Sequence, residues 1–387
     1  MDPSAPGAEP VRPAAPGVAP AEATGLRVDE RVRALHPLQR LFMRPDFGSL
    51  AGVVLLLVFF AFAASGSGMF APDGIMNWLH VSAELGVIAV PAALLMIAGE
   101  FDLSIGSMIG FSGMAAAIPA VYWGWPVWTA ILFAFALSVG LGALDGYLVV
   151  RTRLPSFIVS LAFLFVLRGL SLAVSVMLTN QTIISGVNHA ARGDWLAPLL
   201  GGRIGHPLFV LLARWHLIGT YRDGSPLISG IPMIMIWWIA IAAVAHFVLS
   251  STRFGNHIFA TGGDRNAARS LGVPVARVKI LLFCSTAFCA ALLGISQVME
   301  FGSAAADRGL DMEFEAIIAA VIGGSLLTGG YGSATGACFG ALIFGIAEQG
   351  IYFANWNNNW FRVFLGALLL IAVLFNNFIR RRVTGER

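Results

Sequence analysis

The chain has 387 residues, of which 57% are hydrophobic and only 12% are charged. Soluble globular domains carry about twice that share of charged residues, so this chain must contact lipid over much of its surface. Its formal net charge is +3, and nearly all of the positive charge is arginine. No basic face interleaved with aromatic residues indicates binding of nucleic acid.

The single lysine, Lys279, follows a valine in an apolar stretch. A phosphate-binding loop of the form G-x-x-x-x-G-K-[ST] needs a glycine directly before its lysine, so this chain cannot contain one. We therefore expect ATP hydrolysis, if it drives this protein, to occur on a separate polypeptide. Cys284, Cys289 and Cys338 lie in apolar stretches without a C-x-x-C pair, which predicts neither a disulfide framework nor a metal site. We expect no cofactor.

Residues 1–44 are rich in proline, alanine and glycine and include six arginines but no long apolar run. This composition is typical of a disordered segment and differs from that of a cleavable signal peptide. We predict a disordered cytoplasmic tail at 1–44, a transmembrane domain at 45–380 and a second, short cytoplasmic tail at 381–387.

The transmembrane domain contains ten apolar segments. A helix needs about 20 mostly apolar residues to cross a bilayer. The pattern therefore predicts an all-α, polytopic bundle of about ten transmembrane helices. The predicted spans are 49–65, 78–98, 103–122, 127–150, 155–178, 231–249, 280–299, 316–327, 333–353 and 363–378.

The placement of arginine predicts the orientation of these spans. Threaded alternately from a cytoplasmic N-terminus, the chain puts its arginine-rich connections inside, as the positive-inside rule requires. Both termini are then cytoplasmic. The connections are Arg151 with Arg153, the stretch at 253–279, and Arg380 to Arg382.

The same threading makes 179–230 a long periplasmic loop. It carries four arginines, which the rule tolerates in part because long loops are translocated largely regardless of charge. An apolar patch at 207–213 leaves room for a short re-entrant or interfacial segment.

The segment GEFDLSIGS, 99–107, interrupts the apolar pattern with two carboxylates, Glu100 and Asp102. A carboxylate at mid-depth in a bilayer costs about 2.5–3.5 kcal/mol, so both should face protein, a cavity or the aqueous rim. Asp102 could cap a helix that starts at Leu103 by accepting a hydrogen bond from the amide of Ser104 or Ile105. Alternatively, Glu100, Asp102 and Ser104 line a pathway through the membrane or its gate, and both interpretations stay open.

The predicted cytoplasmic loop at 251–279 carries the signals of a short helix. Asp264 is a favourable N-cap, the next seven residues give about two turns, Gly272 supplies a left-handed C-terminal position, and Pro274 stops continuation. A short polar helix held by glycine turns on the inner face of a membrane protein is suited to docking into another protein. A solvated loop helix without a partner is the alternative.

The segment 300–315 is acidic and should lie outside the membrane. Asp307, Asp311 and Glu313 could meet basic residues of a delivering protein, which would speed encounter and fix orientation. A solvated acidic turn is the alternative. Arginines and carboxylates within or beside the spans could also pair, namely Arg168 or Arg362 with Glu84, Asp145 or Glu348.

Three stretches together resemble a known family: GEFDLSIGS, the loop RFG…ATGGDRNAARSLGV at 253–273, and EFEAIIAAVIGGSLLTGGYGSATGACFGALIFG at 313–345. The chain from 77 to 378 resembles the permease subunits of ribose- and xylose-type ABC importers, in the branched-chain permease superfamily. The resemblance implies a permease of the bacterial inner membrane that translocates a monosaccharide and is not itself an enzyme. It also implies three protein partners: an ABC ATPase subunit, a periplasmic sugar-binding protein and a second permease subunit in a homodimer.

In that family the loop that matches 262–272 couples the permease to the ATPase. One position departs from the family pattern, because Asp264 stands where asparagine is common, although both residues cap helices well. The coupling residues implied by the resemblance are Gly263, Asp264, Asn266, Ala267, Ala268 and Gly272.

The sequence NWNNNW begins at Asn355 and places Trp356 and Trp360 at an outer membrane edge. Tryptophan at such an edge is most simply an interfacial anchor. The alternative is a sugar contact, because tryptophan and asparagine suit the apolar faces and hydroxyl groups of sugars.

Two rival functions stay open. A secondary transporter could couple to protons through Glu100 and Asp102, as intramembrane acids often do. A permease of the same superfamily could instead carry another small solute, such as an amino acid or a nucleoside. A membrane enzyme lacks support, because no nucleophile–base or metal-ligand constellation is present.

Overall fold

The computed structural model describes residues 45–215 and 217–384, so the predicted tail at 1–44 lies outside the described residues. The described part is mostly helical. Its helices are α1 (Pro45–Ala63), α2 (Pro72–Ile97), α3 (Ile105–Tyr122), α4 (Val127–Thr152), α5 (Ser156–Thr179), α6 (Val187–Ala190), α7 (Ala197–Gly201), α8 (His206–Arg214), α9 (Met233–Ser251), α10 (Arg253–Gly263), α11 (Arg265–Ser270), α12 (Val275–Phe301), α13 (Met312–Ile322), α14 (Ala334–Phe353) and α15 (Asn359–Thr384).

Seven of the described helices are long and apolar enough to cross a membrane: α2, α3, α4, α5, α9, α12 and α14. This confirms the prediction of an all-α, polytopic bundle. Shorter apolar helical stretches lie at Phe47–Ala63 in α1 and at Asn359–Ile371 in α15. The span predicted at 316–327 overlaps α13, which has only 11 residues and ends at Ile322.

Two sets of four helices, α2 to α5 and α12 to α15, pack in the same pattern. The long first helix of each set lies against the third helix of the other set, so α12 packs on α4 and α2 packs on α14. The second helices follow the same rule, because α3 packs on α12 and α13 packs on α2. Such repetition is typical of transporters built from internal structural repeats, whose interface holds the functional site.

Each set is interrupted after its first helix. After α2 the chain leaves the helical path at Gly99, whose φ of +80° favours glycine, and α3 starts only at Ile105. Along this break Glu100 bonds to Lys279 and Asp102 bonds to Thr286, seven residues further along α12. The non-helical segment 98–104 therefore rises about 10 Å along α12 before α3 begins.

The second interruption, 302–311, turns back into the bundle instead of staying at its surface. A Cβ on Gly110 of α3 would lie 2.8 Å from the carbonyl oxygens of both Ala306 and Arg308. Helix α13 therefore starts beside α3, where Gly106 contacts the Glu313 carboxylate. The acidic segment predicted to lie outside the membrane is thus partly inside the helix bundle.

Two small antiparallel sheets organise the connections at one end of the bundle. Strand β1 (Ile183–Ser185) pairs with β4 (Ser303–Ala305), with Ile184 opposite Ala304. Strand β2 (Arg203–Ile204) pairs with β3 (Ile231–Pro232). The loop predicted at 179–230 therefore has structure of its own, and helix α8 occupies its apolar patch.

Candidate functional site

A surface formed by α10 and α11 stands at the end of the bundle where α4 ends and α12 begins. Thr252 caps α10 by accepting a hydrogen bond from the Gly255 amide at 3.1 Å. Asp264 caps α11 by accepting hydrogen bonds from the amides of Asn266 at 2.8 Å and Ala267 at 3.0 Å. This confirms the predicted short helix and its cap.

The cap also changes the chemistry of Asp264. The amides of Ala267 and Asn266 stabilise its charged form and hold the pKa of this exposed carboxyl below its usual range. Gly272 adopts φ +82°, as the predicted left-handed position requires. The helix ends at Ser270, one residue earlier than predicted, and α12 starts directly after Pro274.

Helix α10 was not predicted, although the sequence carried a signal for it. Thr252 is a good N-cap, and the buried residues that follow, Gly255, Ile258 and Thr261, recur at helical spacing. The loop predicted at 251–279 is thus two successive capped helices joined at Asp264.

Most of the predicted coupling residues point outward, but one does not. Gly263, Asp264, Asn266 and Ala267 are exposed, and so is Gly272, whereas Ala268 is only 2% exposed. Ala268 lies on the face of α11 that packs against the rest of the chain, so a partner cannot contact it in this conformation.

Sequence reasoning missed the most prominent residue of this surface. Leu271, directly after α11, is 83% exposed although it lies on a polar segment outside the apolar spans. The described part of the chain leaves most of this side chain accessible to another protein.

A junction of glycines attaches this surface to the bundle. The Gly330 amide donates a hydrogen bond of 2.8 Å to the carbonyl of Ile97, the last residue of α2. Gly262 at the end of α10 lies against both groups, and a Cβ there would overlap the Ile97 oxygen and lie 2.6 Å from the Gly330 nitrogen. A Cβ on Gly329 would lie 2.8 Å from the Cα of Gly99. The ends of α2 and α10 and the turn before α14 thus meet backbone to backbone.

The carboxylates of the GEFDLSIGS segment are held inside the protein. Glu100 pairs with Lys279 of α12, and both side chains are almost fully buried. Asp102 accepts hydrogen bonds from the Ser104 amide at 2.8 Å, the Ser104 hydroxyl at 2.6 Å and the Thr286 hydroxyl at 2.5 Å. Of the two amides predicted to donate to Asp102, that of Ser104 does so. Helix α3 nevertheless begins at Ile105 instead of Leu103, because this turn keeps Ser104 outside the helix.

Asp145 is a third buried carboxylate in the same region, for which the sequence offered Arg168 or Arg362 as ion-pair partners. It lies on α4 with Gly142 and Gly146, which contact Phe283 of α12. Both of its carboxylate oxygens are buried without a hydrogen-bond partner. Neither candidate arginine pairs with it, since Arg168 lies 3.6 Å from Glu313 and Arg362 lies 3.5 Å from Asp311.

The three acidic residues proposed to contact a delivering protein have different environments. Asp307 is exposed, and Asp311 is half-exposed in its pair with Arg362. Glu313 is 1% exposed and faces Arg168, so it cannot take part in a surface contact in this conformation. The reason is that segment 302–311 folds into the bundle, which its acidic composition does not reveal.

The predicted asparagine and tryptophan group lies at the far end of α14. Asn355 adopts φ +56° in the turn after that helix. Trp356 packs beside Phe59 and Phe60 of α1 at centroid distances of 6.2 Å and 6.5 Å, and Trp360 is exposed. Helix α14 separates this group from Gly330, close to Glu100, by about 30 Å. The structure therefore does not bring the two groups of candidate pathway residues together.

A polar cluster at the other end of the bundle was also missed. Glu300 of α12 lies 3.3 Å from His80 of α2 and 3.2 Å from Arg203 of β2. One turn deeper, the Gln297 side-chain amide donates a 2.9 Å hydrogen bond to Glu84. Among the described residues, no three His, Cys, Asp or Glu side chains could together hold a metal ion.

The comparisons with known proteins agree with this architecture. Residues 74–373 match the family described as the permease component of branched-chain amino acid transport systems. The chain belongs to this family. It is a multi-pass protein of the inner membrane and a transport permease subunit, not an enzyme.

Three relatives from Escherichia coli strain K12 cover most of the chain. The xylose transport system permease protein is 29% identical over 375 residues, covering 87% of this chain and 92% of the relative. The ribose import permease protein is 29% identical over 343 residues, covering 88% and 97%. An inner membrane ABC transporter permease protein is 30% identical over 302 residues, covering 77% and 82%. No solved structure matches the chain at a significant level.

Proposed function

We propose that this chain is the permease subunit of an ABC importer that translocates a monosaccharide delivered by a periplasmic binding protein. A separate ABC ATPase subunit hydrolyses ATP, and a second copy of the permease completes the transport unit. The pairing of Glu100 with Lys279 removes one of the two carboxylates to which the proton-coupled alternative was assigned.

The observation that carries the proposal is the exposed, capped helix α11 with Leu271 beside it. This helix presents Asp264, Asn266 and Ala267 to solvent, while the buried Ala268 seats it on the bundle. Leu271 is apolar and accessible, so an apolar groove on a cytoplasmic ATPase would gain free energy by burying it.

The glycine junction gives α11 a mechanical connection to the membrane helices. Gly262 lies two residues before Asp264, the α11 cap, and contacts the end of α2 and the turn before α14. Because these contacts join backbone to backbone, a displacement of α11 cannot be absorbed by side-chain rotation. ATPase motion therefore reaches the interface between the two four-helix sets, with the break at Glu100, Asp102 and Ser104 beside it.

The topology that fits this mechanism has ten spans with both termini in the cytoplasm. The face with α11 is cytoplasmic, and it also carries Arg151 and Arg153 at the end of α4, as the positive-inside rule requires. The opposite face, with the two small sheets and the exposed Asp307, is periplasmic. Asp307 and Asp311 then contact the binding protein, and Trp356 and Trp360 anchor the periplasmic membrane edge.

The test replaces Leu271 with aspartate and compares it with Leu154→Asp. Leu154 is also an exposed leucine at the same end of the bundle, in the connection between α4 and α5. Because burial of a leucine is worth about 2 kcal/mol, its loss should weaken binding of the ATPase subunit about thirtyfold. Co-purification with the ATPase and ATP-driven sugar uptake in proteoliposomes provide the readouts.

We expect Leu271→Asp to lose ATPase binding and uptake while its elution profile in detergent stays that of the folded protein. Leu154→Asp should keep both activities. If Leu271→Asp binds the ATPase and supports uptake as the unmodified chain does, α11 is not the docking element.

A further inference from the structure

The connection between α5 and α9, periplasmic in the proposed topology, is tied to the ends of two membrane spans. The Asp194 carboxylate accepts a 2.9 Å hydrogen bond from the amide of Trp128, the second residue of α4. The indole of Trp237 donates a 2.8 Å hydrogen bond to the carbonyl of Leu199 in α7. Because Trp237 is the fifth residue of α9, α7 lies about 6 Å along that span from its start. The connection therefore lies against the membrane edge.

Helix α8 begins close to the same edge. The amide of Met233, the first residue of α9, donates a 3.0 Å hydrogen bond to the carbonyl of Gly202. Strand β2 follows Gly202 and pairs with β3, which leads directly into α9. Gly205 then turns the chain at φ +81°, and α8 starts at His206. Only a few residues thus separate α8 from the backbone that meets the end of a membrane span.

The face of α8 that the protein leaves uncovered is apolar. Leu208 and Leu211 are exposed, and so is Trp215 directly after the helix. Their spacings of three and four residues place them on one stripe of the helix. Phe209 and Ala213 are buried on another face, which meets the rest of the chain. The stripe is therefore available to a partner outside the described part of the chain.

Position and charge select the lipid bilayer as that partner. The neighbouring span α9 exposes Ile236 and Ile239 in its first two turns, so the protein surface beside α7 and β3 already faces lipid. Arg214, in the last turn of α8, is exposed and forms no ion pair with another residue that the structure describes. An apolar stripe bordered by tryptophan and arginine is the composition of a helix that lies in the membrane interface.

A soluble partner explains this surface less well. A protein that delivers solute binds and leaves in every transport cycle, so it would expose the apolar stripe to water each time it left. Lipid covers the stripe at all times. The phosphate of an anionic phospholipid would also pair with Arg214, whereas the positive-inside rule disfavours an arginine on this side of the membrane.

We propose that α8 lies in the lipid leaflet at this end of the bundle, which is the periplasmic leaflet in the proposed topology. Leu208, Leu211 and Trp215 lie among the acyl chains, and Arg214 contacts the phosphate of an anionic phospholipid. Interfacial helices bury their apolar face about 5–10 Å into the boundary between headgroups and acyl chains. The inference rests on the proposed function only for the side of the membrane, because the contact with lipid follows from the position of α8.

The test places a photoreactive benzophenone at position 208 or 211 by replacing the leucine with p-benzoylphenylalanine. Tyr221 is the matched control position, because it is 57% exposed, as Leu208 is 56% exposed, but lies in a polar turn beside Asp223. The full-length permease and its ATPase subunit are reconstituted in vesicles of equal parts phosphatidylglycerol and phosphatidylethanolamine. The vesicles are irradiated with and without the binding protein, and mass spectrometry of the intact chain identifies each adduct.

We expect phospholipid adducts at positions 208 and 211, with or without the binding protein, and none at position 221. One arginine near an anionic surface changes affinity about fivefold. Arg214→Gln should therefore lower the ratio of phosphatidylglycerol to phosphatidylethanolamine adducts at position 211 by that factor. Arg222→Gln, in the polar turn with Tyr221, should leave the ratio unchanged.

The outcomes separate this inference from the proposed function. If positions 208 and 211 form adducts with the binding protein or a second permease, or form none, the stripe is covered by protein or by water and the inference is wrong. An unchanged adduct ratio in Arg214→Gln overturns the contact with an anionic headgroup. Uptake of radiolabelled D-xylose or D-ribose is measured in the same vesicles. If ATP drives no uptake, the proposed function fails, while the adducts still decide where α8 lies.

Discussion

The buried pair of Glu100 and Lys279 offers a sharp test of how the GEFDLSIGS segment is held. The two side chains are 10% and 3% exposed, so neither charge is solvated by bulk water. Lys279→Met keeps most of the volume and removes the charge. The carboxylate of Glu100 is then left buried without its partner Lys279.

Removing one partner of a buried ion pair costs about 3–5 kcal/mol, because the remaining charge is uncompensated. Replacing both partners with well-packed neutral residues is often close to neutral. We therefore expect Lys279→Met to lower the free energy of unfolding by about 3–5 kcal/mol. The double variant Glu100→Gln with Lys279→Met should recover most of that loss.

The assay is reversible unfolding of the purified permease in mixed detergent micelles, applied to the unmodified chain, both single variants and the double variant. This cycle isolates the coupling between the two side chains. If Lys279→Met unfolds within about 1 kcal/mol of the unmodified chain, or if the losses of the single variants simply add, the pair does not hold the segment.

Three further predictions concern α11, the glycine junction and the second buried pair. Asp264→Ala should weaken ATPase co-purification, whereas Asp264→Asn should not, because asparagine also caps helices. The cap lowers the pKa of the Asp264 carboxyl. Its stabilising contribution is therefore complete above about pH 4 and is lost only as the pH falls through the pKa of the folded state. Gly262→Ala should lower the free energy of unfolding by about 1–3 kcal/mol in the same assay, because its Cβ would overlap neighbouring backbone atoms. Gly263→Ala should not lower it, because the space around its Cβ is open. Equal stability of the two variants would contradict the glycine junction. Arg168→Gln leaves the buried Glu313 unpaired and should lower the free energy of unfolding by about 3 kcal/mol. Arg362→Gln should change it little, because the Arg362 side chain is 82% exposed. A larger loss for Arg362→Gln than for Arg168→Gln would contradict the pairing.

The elements that could be predicted are those fixed by local chemistry. The apolar runs located the long helices because length and hydropathy decide a membrane span. Asp264 and Gly272 predicted a short capped helix because a cap and a left-handed turn need only neighbouring residues. Helix α10 was equally readable from Thr252 and was overlooked beside the stronger signal that followed it.

The elements that could not be predicted depend on tertiary packing. The acidic composition of 302–311 indicated a surface turn, but glycines on α3 let the segment enter the bundle and bury Glu313. Likewise, nothing local to Ala268 reveals which face of a two-turn helix meets the bundle. The partners of Arg168 and Glu100 lie more than 100 residues away in the chain, and several acids were equally plausible partners.

The central claim is that sugar import by this permease is driven by a separate ATPase. The most direct measurement is uptake of radiolabelled D-xylose or D-ribose into proteoliposomes that contain the permease, with the ATPase subunit, the binding protein and ATP each omitted in turn. Uptake should occur only when all three are present. Uptake by the permease without the ATPase subunit, driven by an imposed proton gradient, would contradict it.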